Sequence, residues 1–261
     1  MKRTITALFI CLGLLVGSAA TRASWQERFK FSGDFRYRHE QIKKEDSETR
    51  DRQRIRARIA VKAKVVDGLT FNCRLASGSS DPVSTNQTLD GGFSTKGIWL
   101  DRAYFHYNPT DTCFHLMGGK VKNPLHNAGG AGLLWDGDLN PEGLVIQAKP
   151  EFGAVSLFVT GTYFWVEERS SDDDSFLMGA QAGVNIDMGA AKLTVGAGYY
   201  GYSECEGNAT FVDAGDSFGN SVDTNDAYIM DYNELEAFME LGVKAGPLPL
   251  KYQSMRLGDH W

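Results

Sequence analysis

The 261-residue chain has little proline, 7 residues, and only 4 cysteines. One cysteine, Cys11, lies near the N-terminus. The other three, Cys73, Cys113 and Cys205, are an odd number, which excludes a fully paired disulfide framework. Cys73 falls on an apolar strand position and reads as packing, while a Cys113–Cys205 bond rests on elimination alone. No apolar run reaches the ~20 residues of a bilayer-spanning helix, so a helical membrane protein is excluded as well. The histidines His39, His106, His115, His126 and His260 show no metal-ligand spacing, and no Gly-x-Ser-x-Gly elbow is present. A hydrolase would need a Ser/His pair meeting in space, and nothing in the sequence marks one. The residues point to no enzyme, no metal and no cofactor.

The N-terminus shows where the chain goes. Lys2 and Arg3 precede an apolar stretch from Ile5 to Val16, and small residues then offer cleavage after Ala20 or Ala23. That is the pattern of a secretory signal peptide over residues 1–23. Cys11 sits too early in it to serve as a lipid-anchor site. Residues 24–261 are left as one domain, rich in glycine (29) and aromatics (Phe 15, Tyr 10, Trp 5), with hydrophobicity of only 42%.

Alternation is the dominant pattern. Arg52, Arg54, Arg56, Arg58, Ala60, Lys62 and Lys64 occupy even positions, while Ile55, Ala57, Ile59, Val61, Ala63 and Val65 occupy odd ones. Successive side chains of a strand point to opposite faces, so one face is a basic ladder and the other is apolar. The same period places Phe29, Phe31, Phe35 and Tyr37 opposite Lys30, Ser32, Asp34, Arg36 and Arg38. It recurs through Leu69–Ala76, Val155–Trp165, Phe176–Ile186, Leu193–Tyr200 and Glu234–Lys244. Apolar-out, polar-in segments of about ten residues are the mark of a transmembrane β-barrel, the closed sheet that satisfies its backbone in lipid. The expected fold is therefore all-β, an antiparallel barrel of the porin type.

About eleven strands are expected, at 29–42, 52–66, 69–78, 98–108, 113–122, 143–151, 154–168, 175–187, 191–204, 234–246 and 249–257. Short turns such as Asp67-Gly68 alternate with mostly longer polar links at 43–51, 79–97, 123–142 and 205–233, the brief 169–174 being the exception. Short periplasmic turns and long outer loops have that asymmetry. An odd strand count leads to the expectation of further C-terminal strands beyond Trp261, since single-chain bacterial barrels carry an even number.

Charge is segregated. Residues 24–150 hold 19 basic and 15 acidic side chains, whereas residues 151–246 hold 3 basic and 17 acidic. Arg36, Arg38, Arg52, Arg54, Arg56, Arg58, Arg74 and Arg102 would line one arc of a lumen, where rings of charge set ion selectivity. Some of them are expected to pair with carboxylates and only stabilise the wall. The link 123–142 carries the flexible run Asn127-Ala-Gly-Gly-Ala-Gly132 and then Asp136, Asp138 and Glu142. Asp136-Gly-Asp-Leu-Asn140 resembles the start of a calcium loop but lacks its glycine at position six and glutamate at twelve.

Several stretches resemble the bacterial putative porin family: Phe31-Ser-Gly-Asp-Phe-Arg-Tyr-Arg38, the run Arg50 to Val65, Asp101-Arg-Ala-Tyr104, Gly119-Lys-Val-Lys-Asn-Pro124 and Leu134-Trp-Asp-Gly-Asp-Leu-Asn-Pro-Glu-Gly143. The resemblance covers about residues 28–200. It implies an outer-membrane barrel of a Gram-negative bacterium, bathed in outer-membrane lipid and admitting small hydrophilic solutes or ions. A homotrimer is among the assemblies it allows, and no nucleic acid is involved. By analogy with general porins, the third long loop folds into the pore, so that Asp136, Asp138 and Glu142 face the arginine ladder. The competing reading is a barrel that serves as a surface receptor, adhesin or structural anchor.

Overall fold

The computed structural model describes residues 25–45, 47–211, 217–245 and 248–259. The expected signal peptide, residues 1–23, lies outside the described residues, as do Asp213 and Asp216 in the 205–233 link. After a short helical turn at Trp25–Arg28, the described chain is almost wholly strand. The strands are β1 (Phe29–Ile42), β2 (Arg50–Val66), β3 (Leu69–Ser77), β4 (Gln87–Thr88), β5 (Ile98–Tyr107), β6 (Phe114–Lys120), β7 (Glu142–Ala148), β8 (Glu151–Phe152), β9 (Val155–Glu167), β10 (Ser175–Asp187), β11 (Ala191–Ser203), β12 (Asn233–Ala245) and β13 (Leu248–Asp259).

Eleven of these form one antiparallel meander in the order β1-β2-β3-β5-β6-β7-β9-β10-β11-β12-β13, each strand paired with the next. They correspond to the eleven expected from alternation. The sheet is open, with β1 at one edge and β13 at the other. Two short strands were not anticipated. β4 pairs with Arg54 and Ile55, extending the wall above β3, whose own pairing with β2 begins at Arg58. β8 exists because Pro150, which has no N–H to donate, interrupts the expected 143–151 strand; Glu151 and Phe152 then pair back onto Ser156 and Val155.

The two faces are the reverse of a soluble sheet. Phe35, Ile59 and Ile146 are 70%, 66% and 60% exposed, whereas Glu236 and Tyr200 are wholly buried. Large apolar side chains in a row on one exposed face, with polar groups packed on the face that carries the Val121–Pro141 link, suit a wall that has lipid outside.

One departure from strict alternation brings a carboxylate inward. At the β3–β5 boundary Arg74 pairs with Arg102 but Leu75 pairs with Leu100, so Asp101 is the extra residue of a bulge. Both Asp101 and Arg102 thereby face the interior, and Asp101 forms an ion pair with Arg74.

Candidate channel wall and inward loop

The inner row of β1 runs Asp34, Arg36, Arg38, Glu40. The register sets it directly against Arg58, Arg56, Arg54 and Arg52 of β2. Two of these four cross-strand pairs, Arg36↔Arg56 and Arg38↔Arg54, are like-charged, an arrangement that destabilises a sheet. Two carboxylates bracket the row and relieve it. Asp34 accepts from Arg56 at 2.8 Å and from Arg58 at 2.6 Å. Glu40 takes Arg38, Arg52 at 2.6 Å and Arg54 at 3.6 Å. Arg36 donates only to a neutral group, the Asn86 side-chain oxygen at 2.6 Å. Asn86 belongs to the second long link, which β4 holds against this wall.

The link from Val121 to Pro141 lies on the inner face of the sheet. Its foot is closed by Val121 N–H donating to the Pro141 carbonyl at 2.8 Å. Val121, Leu125 and Trp135 are buried against Met117, Val145, Phe164, Leu177 and Tyr200 of the wall. Burying each such side chain is worth roughly 1.5–3 kcal/mol, enough to hold an otherwise glycine-rich loop in place.

Polar ties finish the docking and reach both sides of the wall. On the basic side, Asp138 accepts from Arg58 at 3.2 Å and from Thr85 Oγ1 at 3.1 Å. Asn140 donates to Asp101 at 2.9 Å and accepts from Arg102 at 2.7 Å. Toward the acidic side, the Gln181 amide brackets the His126 backbone, accepting from its N–H at 2.7 Å and donating to its carbonyl at 2.9 Å. Gly129 N–H donates to Glu240 at 2.8 Å. Behind these contacts Glu236 accepts from Gln181 at 3.0 Å and from the Tyr200 hydroxyl at 2.8 Å.

A glycine pair shapes the seat of the loop. Gly183 and Gly196 are register partners on β10 and β11. A Cβ on Gly183 would meet the Phe158 ring at 2.3 Å, and one on Gly196 would meet the Phe238 ring at 2.3 Å. The two rings therefore lie flat across bare backbone. On them rests the loop: Ala128 is buried with both rings, and the His126 ring stacks on Phe238 with centroids 5.0 Å apart.

Of the expected constriction carboxylates, Asp138 alone reaches the arginine ladder. Asp136 is exposed and accepts from the Asp138 backbone N–H at 2.7 Å, shaping the turn that presents its neighbour. Glu142 corrects the expectation outright. It starts β7 on the same face as the exposed Leu144 and Ile146, so the two-residue period points it outward, where it pairs with Lys120 at 2.8 Å. All eight arginines belong to the inner wall, and Arg74 and Arg102 sit deeper than the ladder on β1 and β2. Alternation puts Asp34 and Glu236 on the inner row but assigns no site role to them or to Glu40, which shares the parity of Arg36 and Arg38. Asn86, Gln181 and Tyr200 carried no comparable signal.

The calcium resemblance at Asp136–Asn140 is not supported, because Asp138 and Asn140 bind cationic arginines. Among the described residues no cluster of His, Cys, Asp and Glu could hold a metal ion. His106 and His115 face each other at 3.0 Å between ring nitrogens, with stacked rings, near the end of the sheet that carries the short turns.

The three described cysteines are free, so the Cys113–Cys205 bond is not formed. Cys113 precedes β6 in a short turn and Cys205 follows β11 in a long loop, which puts them at opposite ends of the sheet. Cys205 is completely buried, and that burial, reinforced by the Asp231 carboxylate, pushes its thiol up to about 11.

Residues 43–241 match the family described as Putative porin. Among solved structures the chain is similar to OmpT, an outer membrane protein of Vibrio cholerae in its trimer form. The identity is 13%, over 88% of this chain and 78% of that one, with a TM-score of 0.40. It is also similar to a mutant of the Rh. blastica porin, at 12% identity over 88% of this chain and 84% of that one, with a TM-score of 0.36. No curated protein matches by sequence.

Proposed function

We propose that this chain, which belongs to the Putative porin family, forms a channel for the passive diffusion of small hydrophilic solutes and ions. Family membership makes it a porin-like barrel of the outer membrane. The channel reading rests on one observation above the others: the Val121–Pro141 loop lies on the inner face and sets Asp138 against Arg58. A loop in that position narrows a lumen and puts fixed charges of both signs at the narrowing, the arrangement that makes a water-filled passage selective. Export by residues 1–23 belongs to the same proposal.

The test is electrical. The full chain, refolded into planar lipid bilayers, is expected to give discrete conductance steps, and its mature form is expected in the outer-membrane fraction. Folded, membrane-inserted protein that passes no current would overturn the channel and favour the receptor or anchor reading.

A further inference from the structure

The arginine ladder contains a local surplus that the fold does not explain. Of the six ladder guanidiniums, those of Arg36, Arg38, Arg52, Arg54, Arg56 and Arg58, five share three carboxylates, Asp34, Glu40 and Asp138. The ion pairs gather at the two ends of the row. In its middle stands Arg36, directly opposite Arg56 and two residues from Arg38, and among the described residues no carboxylate lies within ion-pair distance of it. The Nε atoms of Arg36, Arg38 and Arg54 are buried without an acceptor. A wall built only for stability gains nothing from a like-charged pair at this point. A neutral residue at position 36 would remove the repulsion, and Asn86 could bond to it equally well.

Resting on the channel reading, we infer that Arg36 is the centre of a lumenal binding site for small oxyanions, with Arg38, Arg54 and Arg56 around it. A guanidinium offers a planar fork of donors that fits a carboxylate or phosphate through two parallel bonds. An anion at Arg36 would take up the surplus charge. Asp34 holds Arg56 and Glu40 holds Arg38 and Arg54, so these three are fixed around Arg36, which alone of the ladder has no carboxylate of its own among the described residues. The channel would then do more than exclude cations. It would hold carboxylates or phosphates briefly during passage, so that flux saturates with concentration.

The experiment uses the full chain in planar bilayers carrying a chloride current, with inorganic phosphate and succinate added separately to tell the two oxyanion classes apart. Wild-type current is expected to fall saturably with at least one of them. Arg36→Gln should raise the half-blocking concentration about tenfold, the loss of one charge-assisted bond. Arg36→Lys should raise it less, since the charge stays while the fork is lost. Lys122→Gln, which removes a positive charge from an exposed loop position, should leave it unchanged. Calorimetric titration of the detergent-held protein with the same two anions reads the site independently of conduction. A conducting channel indifferent to both anions, or equal effects of Arg36→Gln and Lys122→Gln, would overturn the oxyanion site while leaving the channel standing. Calorimetric binding that Arg36→Gln abolishes, in protein that does not conduct, would keep the site and overturn the channel.

Discussion

Asp138 Oδ1 lies 3.2 Å from Arg58 Nη1, joining residues 80 apart in sequence across the inside of the sheet. The contact depends on three separate features. The two-residue period of β2 turns Arg58 inward, the Asp136 turn presents Asp138, and the apolar anchors Leu125 and Trp135 hold the loop down. Asp34 holds the same guanidinium from the other side at 2.6 Å. The side chain that shapes the wall is therefore fixed from both strand and loop.

Asp138→Asn should shift the reversal potential of the channel toward anions. Two charges a few ångströms apart interact by about 1 kcal/mol in water and about 4 kcal/mol at an effective dielectric constant of 20. Losing the carboxylate therefore changes the field at the narrowing appreciably. Asp136→Asn should shift the potential much less, because Asp136 faces away from the ladder and an Asn oxygen can still accept from the Asp138 N–H. In 1 M KCl both effects should shrink, the screening length being ~3 Å there. Reversal potentials in a salt gradient, compared at low and high ionic strength, check all three statements.

The outer face gives a second test. Val159, half exposed on β9, faces outward with Leu157 and Tyr163. An arginine there would face lipid, at a cost of about 2–4 kcal/mol near the bilayer midplane. Ser32→Arg, on the inner row of β1 between Lys30 and Asp34, should alter stability by only about 0.5 kcal/mol. Urea titration of protein folded into lipid vesicles should give a clearly lower midpoint for Val159→Arg alone. Equal midpoints would mean the faces are assigned wrongly.

How much of this was legible beforehand follows from where the information sits. Alternation such as Arg52–Arg58 is written residue by residue, so the long strands and their inner faces could be read directly. The bulge at Asp101 could not, because it is a slip in pairing between two strands and leaves no trace in either one alone. Glu142 reads as the last residue of a polar link, yet as the first residue of β7 it obeys the parity of Leu144 and Ile146. Trp135, Gln181 and Tyr200 meet only after the loop folds inward, and no local pattern in any of their segments indicates that meeting.

Thiol chemistry should separate Cys113 from Cys205. The Cys205 thiol, pushed up to about 11 by burial and by Asp231, would be ionised to about one part in a thousand at pH 8, and the thiolate is the reactive form. Maleimide should therefore label Cys113, in its partly exposed turn, well before Cys205 in folded protein. Denaturation should make both reactive. The sign for stability follows from the raised value: an unfolded thiol ionises near 8.5, so stability is lost as pH rises from there toward about 11. Fast labelling of native Cys205 at pH 8 would contradict the buried placement.

The glycine pair makes the strongest claim about how the loop is held. Gly196→Ala places a methyl group 2.3 Å from the Phe238 ring tip and 2.8 Å from the Ala182 carbonyl oxygen. The ring has to move, and with it the surface on which His126 and Ala128 rest. Overpacking of this kind costs about 1–3 kcal/mol. Part of that cost should appear as release of the loop, because the ring that moves carries His126 and Ala128. Gly161→Ala is the control, since its Cβ would meet nothing within 4 Å. Limited proteolysis should cut Gly196→Ala within residues 127–133 while wild type and Gly161→Ala stay intact there. Channel recordings of the same variant should show noisier open-state current, as the loop leaves and regains its seat. If Gly196→Ala lowered the unfolding midpoint but left the loop resistant and the current quiet, the phenylalanine shelf would be ordinary wall packing, and the loop would be held by its apolar anchors Val121, Leu125 and Trp135 and its polar ties to Gln181, Glu240 and Arg58.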